Sequence, residues 1–373
     1  ARSDIVLSQR MQKECEVIMI PISFPFENPP SEGSAIEVAE DILWMRLPLP
    51  MALDHVNVYA IRDGEGWCIV DTGYFTKRSQ KIWESLLSGP LNGDPVTRVL
   101  VTHHHPDHIG MAGWFQTKLD TELISSRTAW MYGRMMILDN QKKWPKEVLD
   151  FYKSTGISEE MFSYWLSRGP RNFSDVCFPM PSGYTRIKDG DKIKIGKRKW
   201  HVRSGDGHAP EHITLWSLDD DVVIAGDQVL PGISSNIGVY PTEPLADPLT
   251  DWIDSCEKFK LIAKNEHFVL PGHKLPFLGL PTRLQQLIDN HNNSLPRLIE
   301  HLKTPQTAVG CFEILYKRKI GKGEYGLALV EAVAHLNHLF IAGKIQRRMN
   351  KNKAWIDREE HTSELQSHDL ISY

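Results

Sequence analysis

Cysteine is scarce in this 373-residue chain, and what there is makes no pattern. Cys15, Cys68, Cys177, Cys256 and Cys311 are odd in number, far apart and without a C-x-x-C pair. That excludes a disulfide scaffold and a cysteine-based metal site, and it suits a reducing compartment such as the cytoplasm. A run of 18 apolar residues is also missing, so the sequence predicts no transmembrane helix. The first residues hold no continuous apolar stretch of the signal-peptide kind; the missing initiator Met leaves an upstream targeting segment open. Charge of one sign is lacking too: 43 Lys and Arg against 47 Asp and Glu give a net charge of −4. A nucleic-acid surface usually shows a clear basic excess. The remainder, 41% hydrophobic and 24% charged, is ordinary for a globular protein long enough for a large domain and a smaller one.

Histidine is what the chain concentrates. Residues 102–110 read Thr-His-His-His-Pro-Asp-His-Ile-Gly. Imidazole and carboxylate are ligands for zinc and similar metals. His103 and His105, two apart, point the same way on extended backbone, while Asp107 and His108 open the following turn. The apolar run 98–102 predicts a buried strand, and Met111, Trp114, Phe115 and Leu119 predict a helix over 110–119. The histidines therefore sit on a loop leaving the carboxyl end of a strand, where open α/β sheets place their chemistry. A chance histidine run or a tag would not lead through Pro-Asp-His-Ile-Gly into an amphipathic helix.

The loop resembles the signature of the metallo-β-lactamase-fold superfamily, which includes glyoxalase II, lactonases, thioesterases and metal-dependent nucleases. Four further segments match in order. Residues 67–73 (Trp-Cys-Ile-Val-Asp-Thr-Gly) resemble the first motif, in which Asp71 braces the histidine loop. Residues 204–216 carry Gly-His-x-x-x-His, whose first histidine, His208, matches the third ligand; His212 is read as structural support. The strand 222–226 ends in Asp227, the match to the bridging carboxylate, and Phe-Val-Leu-Pro-Gly-His over 268–273 ends in His273, the last ligand. The match covers about residues 37–280.

The resemblance implies an α/β protein, a four-layered αββα sandwich, with two Zn²⁺ ions (Fe or Mn as alternatives). One ion would take His103, His105 and His208, the other Asp107, His108 and His273, with Asp227 between them. Each would keep an open position, the mark of a catalytic site. The implied reaction is attack by hydroxide, available at neutral pH beside zinc, on a carbonyl or phosphoryl centre, with Asp107 aiming it. His104 reads as a spacer, and His55 as either a contact at the site mouth or a turn residue.

Three parts are expected: an N-terminal extension over 1–36, with a proline-rich stretch starting at Pro21; a catalytic domain over 37–281; and a C-terminal domain over 282–373. Strands are predicted over 42–47, 56–61, 67–70, 96–102, 122–125, 186–195, 198–203, 214–218 and 222–225. Residues 127–182 form an insertion rich in aromatics and methionine. Most of these would glue added helices to the domain, but Tyr152, Phe162 and Trp165 are expected to line an acyl pocket, with Lys274 as a further substrate contact. Helices over 282–302, 307–316 and 324–342, a C′ glycine at Gly343 and a hairpin over 344–358 resemble the winged-helix domain of one branch of the superfamily.

The expected activity is hydrolysis of a thioester or ester of a small acyl compound, of the acyl-CoA or glutathione type. Alternatives are an RNA- or phosphodiester-cleaving hydrolase, supported by the local basic run (Lys317, Lys319, Arg347 and Arg348 among it), and a lactonase. A third is a mononuclear-iron enzyme like the persulfide dioxygenases, which keep the same loop. A small-molecule substrate is favoured over nucleic acid, and the sequence is silent on oligomeric state.

Overall fold

The computed structural model describes residues 19–360. Two sheets form its centre. The first contains β1 (Ile36–Ala39), β2 (Ile42–Pro48), β3 (His55–Asp63), β4 (Gly66–Val70), β5 (Val96–Leu100), β6 (Glu122–Ser125) and β7 (Thr185–Arg186), side by side in chain order. Its first three pairings are antiparallel and its last three parallel. Parallel neighbours require crossovers: α1 (Lys77–Ser88) links β4 to β5, while α2 (Pro106–Ile109) and α3 (Ala112–Leu119) link β5 to β6. The second sheet has the order β12-β11-β10-β9-β8, from β8 (Lys192–Ile195), β9 (Arg198–Gly205), β10 (His212–Ser217), β11 (Val222–Gly226) and β12 (Phe268–Pro271).

Three apolar layers hold this αββα sandwich together. Between the sheets, Ile42, Trp44, Tyr59 and Val70 of the first meet Trp200, Val202, Ile213 and Leu215 of the second. On the outer face of the first sheet, α1 buries Ile82, Trp83 and Leu86, and Trp83 meets Phe115 of α3 edge to face at 4.8 Å. Such aromatic pairs contribute about 0.5–1.5 kcal/mol beyond their burial. The hydroxyl of Thr76 starts α1 by accepting from the Ser79 N–H, a cap typically worth about 1 kcal/mol. On the outer face of the second sheet, Trp252, Cys256 and Phe259 of α7 (Pro248–Lys260) pack with Leu280, Leu284 and Leu287 of α8 (Leu280–His301).

The insertion supplies α4 (Arg127–Leu138), α5 (Lys146–Ser154) and α6 (Glu159–Arg168); the chain beyond α8 supplies α9 (Phe312–Tyr316), α10 (Tyr325–Ile341) and the hairpin β13 (Ile345–Met349)–β14 (Trp355–Glu359). These two distant stretches share one core. Phe151 and Met161 are buried with Leu298, Leu302, Leu329 and Val333. Inside the hairpin, buried Arg347 donates to Asp357 at 2.7 Å and to Asn337 at 2.7 Å. Gly343, with φ +64°, takes the left-handed conformation expected of a C′ residue.

The strand predicted over 186–195 is instead two strands in different sheets. Gly190, with φ +84°, turns the chain between β7 and β8, and the Asp191 carboxylate accepts from the Lys188 N–H to close that turn. The helix predicted over 110–119 begins only at Ala112, after the separate turn of α2. The proline-rich extension runs along the catalytic domain, with Ser23 bridged antiparallel to Leu278.

Candidate metal centre

The strand ends β4, β5, β11 and β12 converge, and each delivers a polar loop. His105 precedes α2, whose Pro106 at the first helical position fixes the turn that carries Asp107 and His108. His103 Nε2 lies 2.9 Å from His105 Nδ1, which lies 3.0 Å from His208 Nε2. On the other side, His273 Nε2 stands 3.4 Å from Asp107 and 3.1 Å from Asp227, and His108 Nε2 stands 3.4 Å from Asp227. Asp227 reaches both halves, because its Oδ2 is also 3.5 Å from His208 Nε2.

The outer nitrogens fix the tautomers. His208 Nδ1–H donates to the Asn236 carbonyl at 2.8 Å, and His273 Nδ1–H to the His55 carbonyl at 2.7 Å. Thr102 spends its hydroxyl proton on Asp71 at 2.8 Å, so it accepts from His103 Nδ1 at 3.0 Å. Asp71 also accepts from the Thr102 N–H and from His108 Nδ1 at 2.7 Å. With protons committed outward, the Nε2 lone pairs of His103, His108, His208 and His273 all face inward. His108 Nε2 and Asp227 Oδ1 are buried and have no hydrogen-bond partner. Convergent lone pairs and orphaned buried acceptors fit a cation, and ordered outer partners are what ligating histidines normally have. Among the described residues, three groups of donors are close enough to hold a metal ion: His103–His105–His208, His103–His108–Asp227 and Asp107–His108–His273.

Charge divides the cluster. Burial and then the neighbouring imidazoles hold His103 and His105 well below the ordinary histidine value, so both stay neutral. Burial opposes charge on His108 and His273 as well, but the carboxylates of Asp227 and Asp107 outweigh it and raise both, His273 to about 10; positive charge is favoured at these Nε2 atoms, as a proton or as a metal ion that displaces it and takes the lone pair. Burial works against ionised Asp107 and Asp227, yet the cationic histidines keep both below the usual carboxylate range.

Close packing leaves little latitude. A Cβ on Gly272 would stand 2.1 Å from Asp227 Oδ1, and one on Gly226 would stand 2.7 Å from the His212 ring. His212 stacks on His103 at 4.5 Å and accepts from the Asp227 N–H at 3.1 Å. His104 points the other way, onto Tyr132 of α4 at 5.2 Å.

Tyr152, Phe162 and Trp165 require a correction. They gather with Trp144, Leu149 and Leu166 around a space with no room for a water molecule, and Trp165 meets Tyr325 of α10 edge to face at 6.0 Å. They form the seam between insertion and C-terminal helices, rather than an open acyl pocket. Part of the basic run is paired within the protein: Arg347 with Asp357, Arg318 with Glu324 and Lys322 with Glu160. Lys274 directly follows His273, with φ +70°, its N–H donating to His55 Nε2 at 2.9 Å. Sequence reasoning gave no role to Thr102, Gly226 and Gly272, although they lie inside the quoted motifs, and Asn236 lies outside every motif.

Residues 51–273 match the metallo-beta-lactamase superfamily model, and residues 295–356 match the metallo-beta-lactamase-like C-terminal domain. The chain belongs to the metallo-beta-lactamase superfamily, and its class is that of a metal-dependent hydrolase. A beta-lactamase domain protein from Burkholderia ambifaria is 35% identical, with a TM-score of 0.84 over 91% of this chain and 98% of that one. A probable metallo-hydrolase, YqjP, from Bacillus subtilis (strain 168) is 25% identical over 312 residues, 80% of this chain and 92% of the relative. A metallo-beta-lactamase family protein from Thermus thermophilus shares the fold, with a TM-score of 0.73 at 23% identity over 87% of this chain and all of that one. Among the described residues, no helix is long and apolar enough to cross a membrane.

Proposed function

We propose that this protein is a two-zinc hydrolase of small acyl thioesters or esters. His103, His105 and His208 would hold one ion and Asp107, His108 and His273 the other, with Asp227 contributing to both. The observation that carries this reading is the inward convergence of imidazole nitrogens around Asp227, where His108 Nε2 and Asp227 Oδ1 are buried 3.4 Å apart without a hydrogen bond. Bound zinc supplies Lewis acidity and water whose pKa falls from 15.7 to about 7. The chain's own groups do the rest. Asp107, held ionised beside His273, accepts a hydrogen bond from the attacking water and points its lone pair at the carbonyl. Asp71 locks the orientation of His108 and, through Thr102, of His103. The four buried free thiols among the described residues suit a reducing compartment, and the cytoplasm is the proposed location.

Metal analysis of the full chain should return close to two zinc ions. A screen of acyl-CoA, acyl-glutathione, lactone and single-stranded RNA substrates should give turnover on the first two. One iron without zinc, or turnover confined to RNA, would overturn the reading.

A further inference from the structure

Beside the metal donors lies a cavity of about 500 Å³, within the size range of small-ligand sites. Its lining mixes two chemistries. Phe24, Pro29, Ile233 and Leu275 are apolar, while Arg46 and Lys274 are cations. Neither cation has a carboxylate partner within ion-pair distance among the described residues. Arg46 spends Nε on Asn57 Oδ1 at 3.0 Å and Nη2 on the Lys274 carbonyl at 2.6 Å, and Nη1 makes no hydrogen bond among the described residues. Burial disfavours its charge, which raises the value of an anion beside it.

The walls are fixed in advance. Asn57 Nδ2 donates to the carbonyls of Pro271 and Lys274, at 2.8 and 2.9 Å. Arg283, buried under the loop after β11, donates to the carbonyls of Leu230 and Ile233, both at 2.6 Å. A non-glycine residue in the left-handed region costs energy that the surroundings must repay, and Lys274 is such a residue. His55 also lines the cavity, its ring held between the Asp54 carboxylate at Nδ1, 2.7 Å away, and the Lys274 N–H, which donates to Nε2 at 2.9 Å. Glu27 is the only carboxylate among the described residues that line it. Two cations against one carboxylate favour a monoanion.

We propose that this cavity binds the anionic end of an amphiphilic monoanion, a carboxylate or sulfate carried on a short hydrocarbon. It lies one residue from the metal donors: Lys274 follows His273, whose Nδ1–H donates to the His55 carbonyl. The cavity's role as a substrate subsite rests on the hydrolase reading, but its binding does not. The occupant would thus be the non-reacting end of an acyl substrate that carries a remote negative charge.

Calorimetric titration of the metal-loaded full chain with octanoate, octyl sulfate and neutral octanamide tests this. Both anions should bind at least about tenfold more tightly than octanamide, the range of a hydrogen bond to a charged group. Lys274→Asn, whose new side chain tolerates a left-handed backbone, should weaken both anions about tenfold with metal content unchanged. Glu27→Gln should tighten them. Equal binding of octanoate and octanamide, or an octanoate affinity indifferent to Lys274→Asn as binding at the metals alone would give, overturns the proposal. Preference for one anion identifies the source. An enzyme without ester or thioester turnover that still binds octanoate through Lys274 would sink the hydrolase reading and leave the site standing.

Discussion

Acidification from pH 7 to pH 5 should loosen the packing of α10 on α8, because a histidine pair lies buried where they meet. His291 and His335 are 1% and 4% exposed, with ring nitrogens 3.2 Å apart. His335 Nδ1–H donates to the Glu331 carbonyl, so its Nε2 accepts from His291 Nδ1–H, and His291 Nε2 is left buried without a partner. Burial, and then the neighbouring imidazoles, push His291 down to about 3; burial chiefly, with His338 adding, pushes His335 to about 4. Unfolded, both would titrate near 6.5. Between those values the unfolded chain binds more protons than the folded one, so stability is full above about pH 6.5 and falls with pH until the folded values are reached. At 1.36 kcal/mol per unit, the loss by pH 5 is about 2 kcal/mol for each imidazole, about 4 kcal/mol for the pair. Urea unfolding at pH 7, 6 and 5 measures it, with a His291→Leu/His335→Leu double variant as reference so that metal-site titrations cancel. The wild type should lose about 4 kcal/mol more than the variant. Parallel loss in the two proteins would refute the argument.

Three further outcomes follow from named contacts. Asp227→Ala should lower the content of both metals, measured by mass spectrometry, and abolish turnover while the melting temperature of the metal-free protein barely moves. Gly272→Ala places a Cβ 2.1 Å from Asp227 Oδ1 and should weaken metal affinity by about 10–100-fold in a chelator competition, the usual effect of disturbing the support of a ligand. Arg347→Met strands the buried Asp357 carboxylate and should cost about 3–5 kcal/mol in urea unfolding, whereas an RNA-contact role would show instead as an altered salt dependence of RNA binding with stability intact.

Local sequence carried the donors and little of what holds them. His103, His105, Asp107 and His108 announce themselves because one turn of chain delivers all four, His208 by its Gly-His-x-x-x-His spacing, and Asp227 and His273 because each ends or follows an apolar strand. Their supports answer to tertiary approach. Asn236 matters only because the loop after β11 swings its carbonyl to His208, and Gly272 only because Asp227 lies against it. Tyr152, Phe162 and Trp165 escape a sequence reading for a related reason. Aromatics at helical spacing look the same whether they face a cavity or another helix, and here Tyr325, far downstream of Trp165, closes the gap. The Arg46–Lys274 cavity is equally hidden, since its walls come from the N-terminal extension, β2, the loop after β11 and the chain beyond β12.

The C-terminal helices are tied into the metal centre as well as packed beside it. Asn236 accepts the His208 Nδ1 proton with its backbone carbonyl, and its side-chain amide donates to Glu331 at 2.8 Å and to the Leu327 carbonyl at 3.1 Å, both on α10. A donor histidine from the second sheet is thus aimed by a loop that α10 grips. The same helix carries the His291–His335 contact one turn further on. The insertion completes the arrangement from the other side, with Trp165 against Tyr325 at the start of α10. In an αββα sandwich whose donors stand on loops and one short helical turn, rigidity must come from what packs against them. At His208 one helix from the C-terminal region, packed between the insertion and α8, supplies it through Asn236.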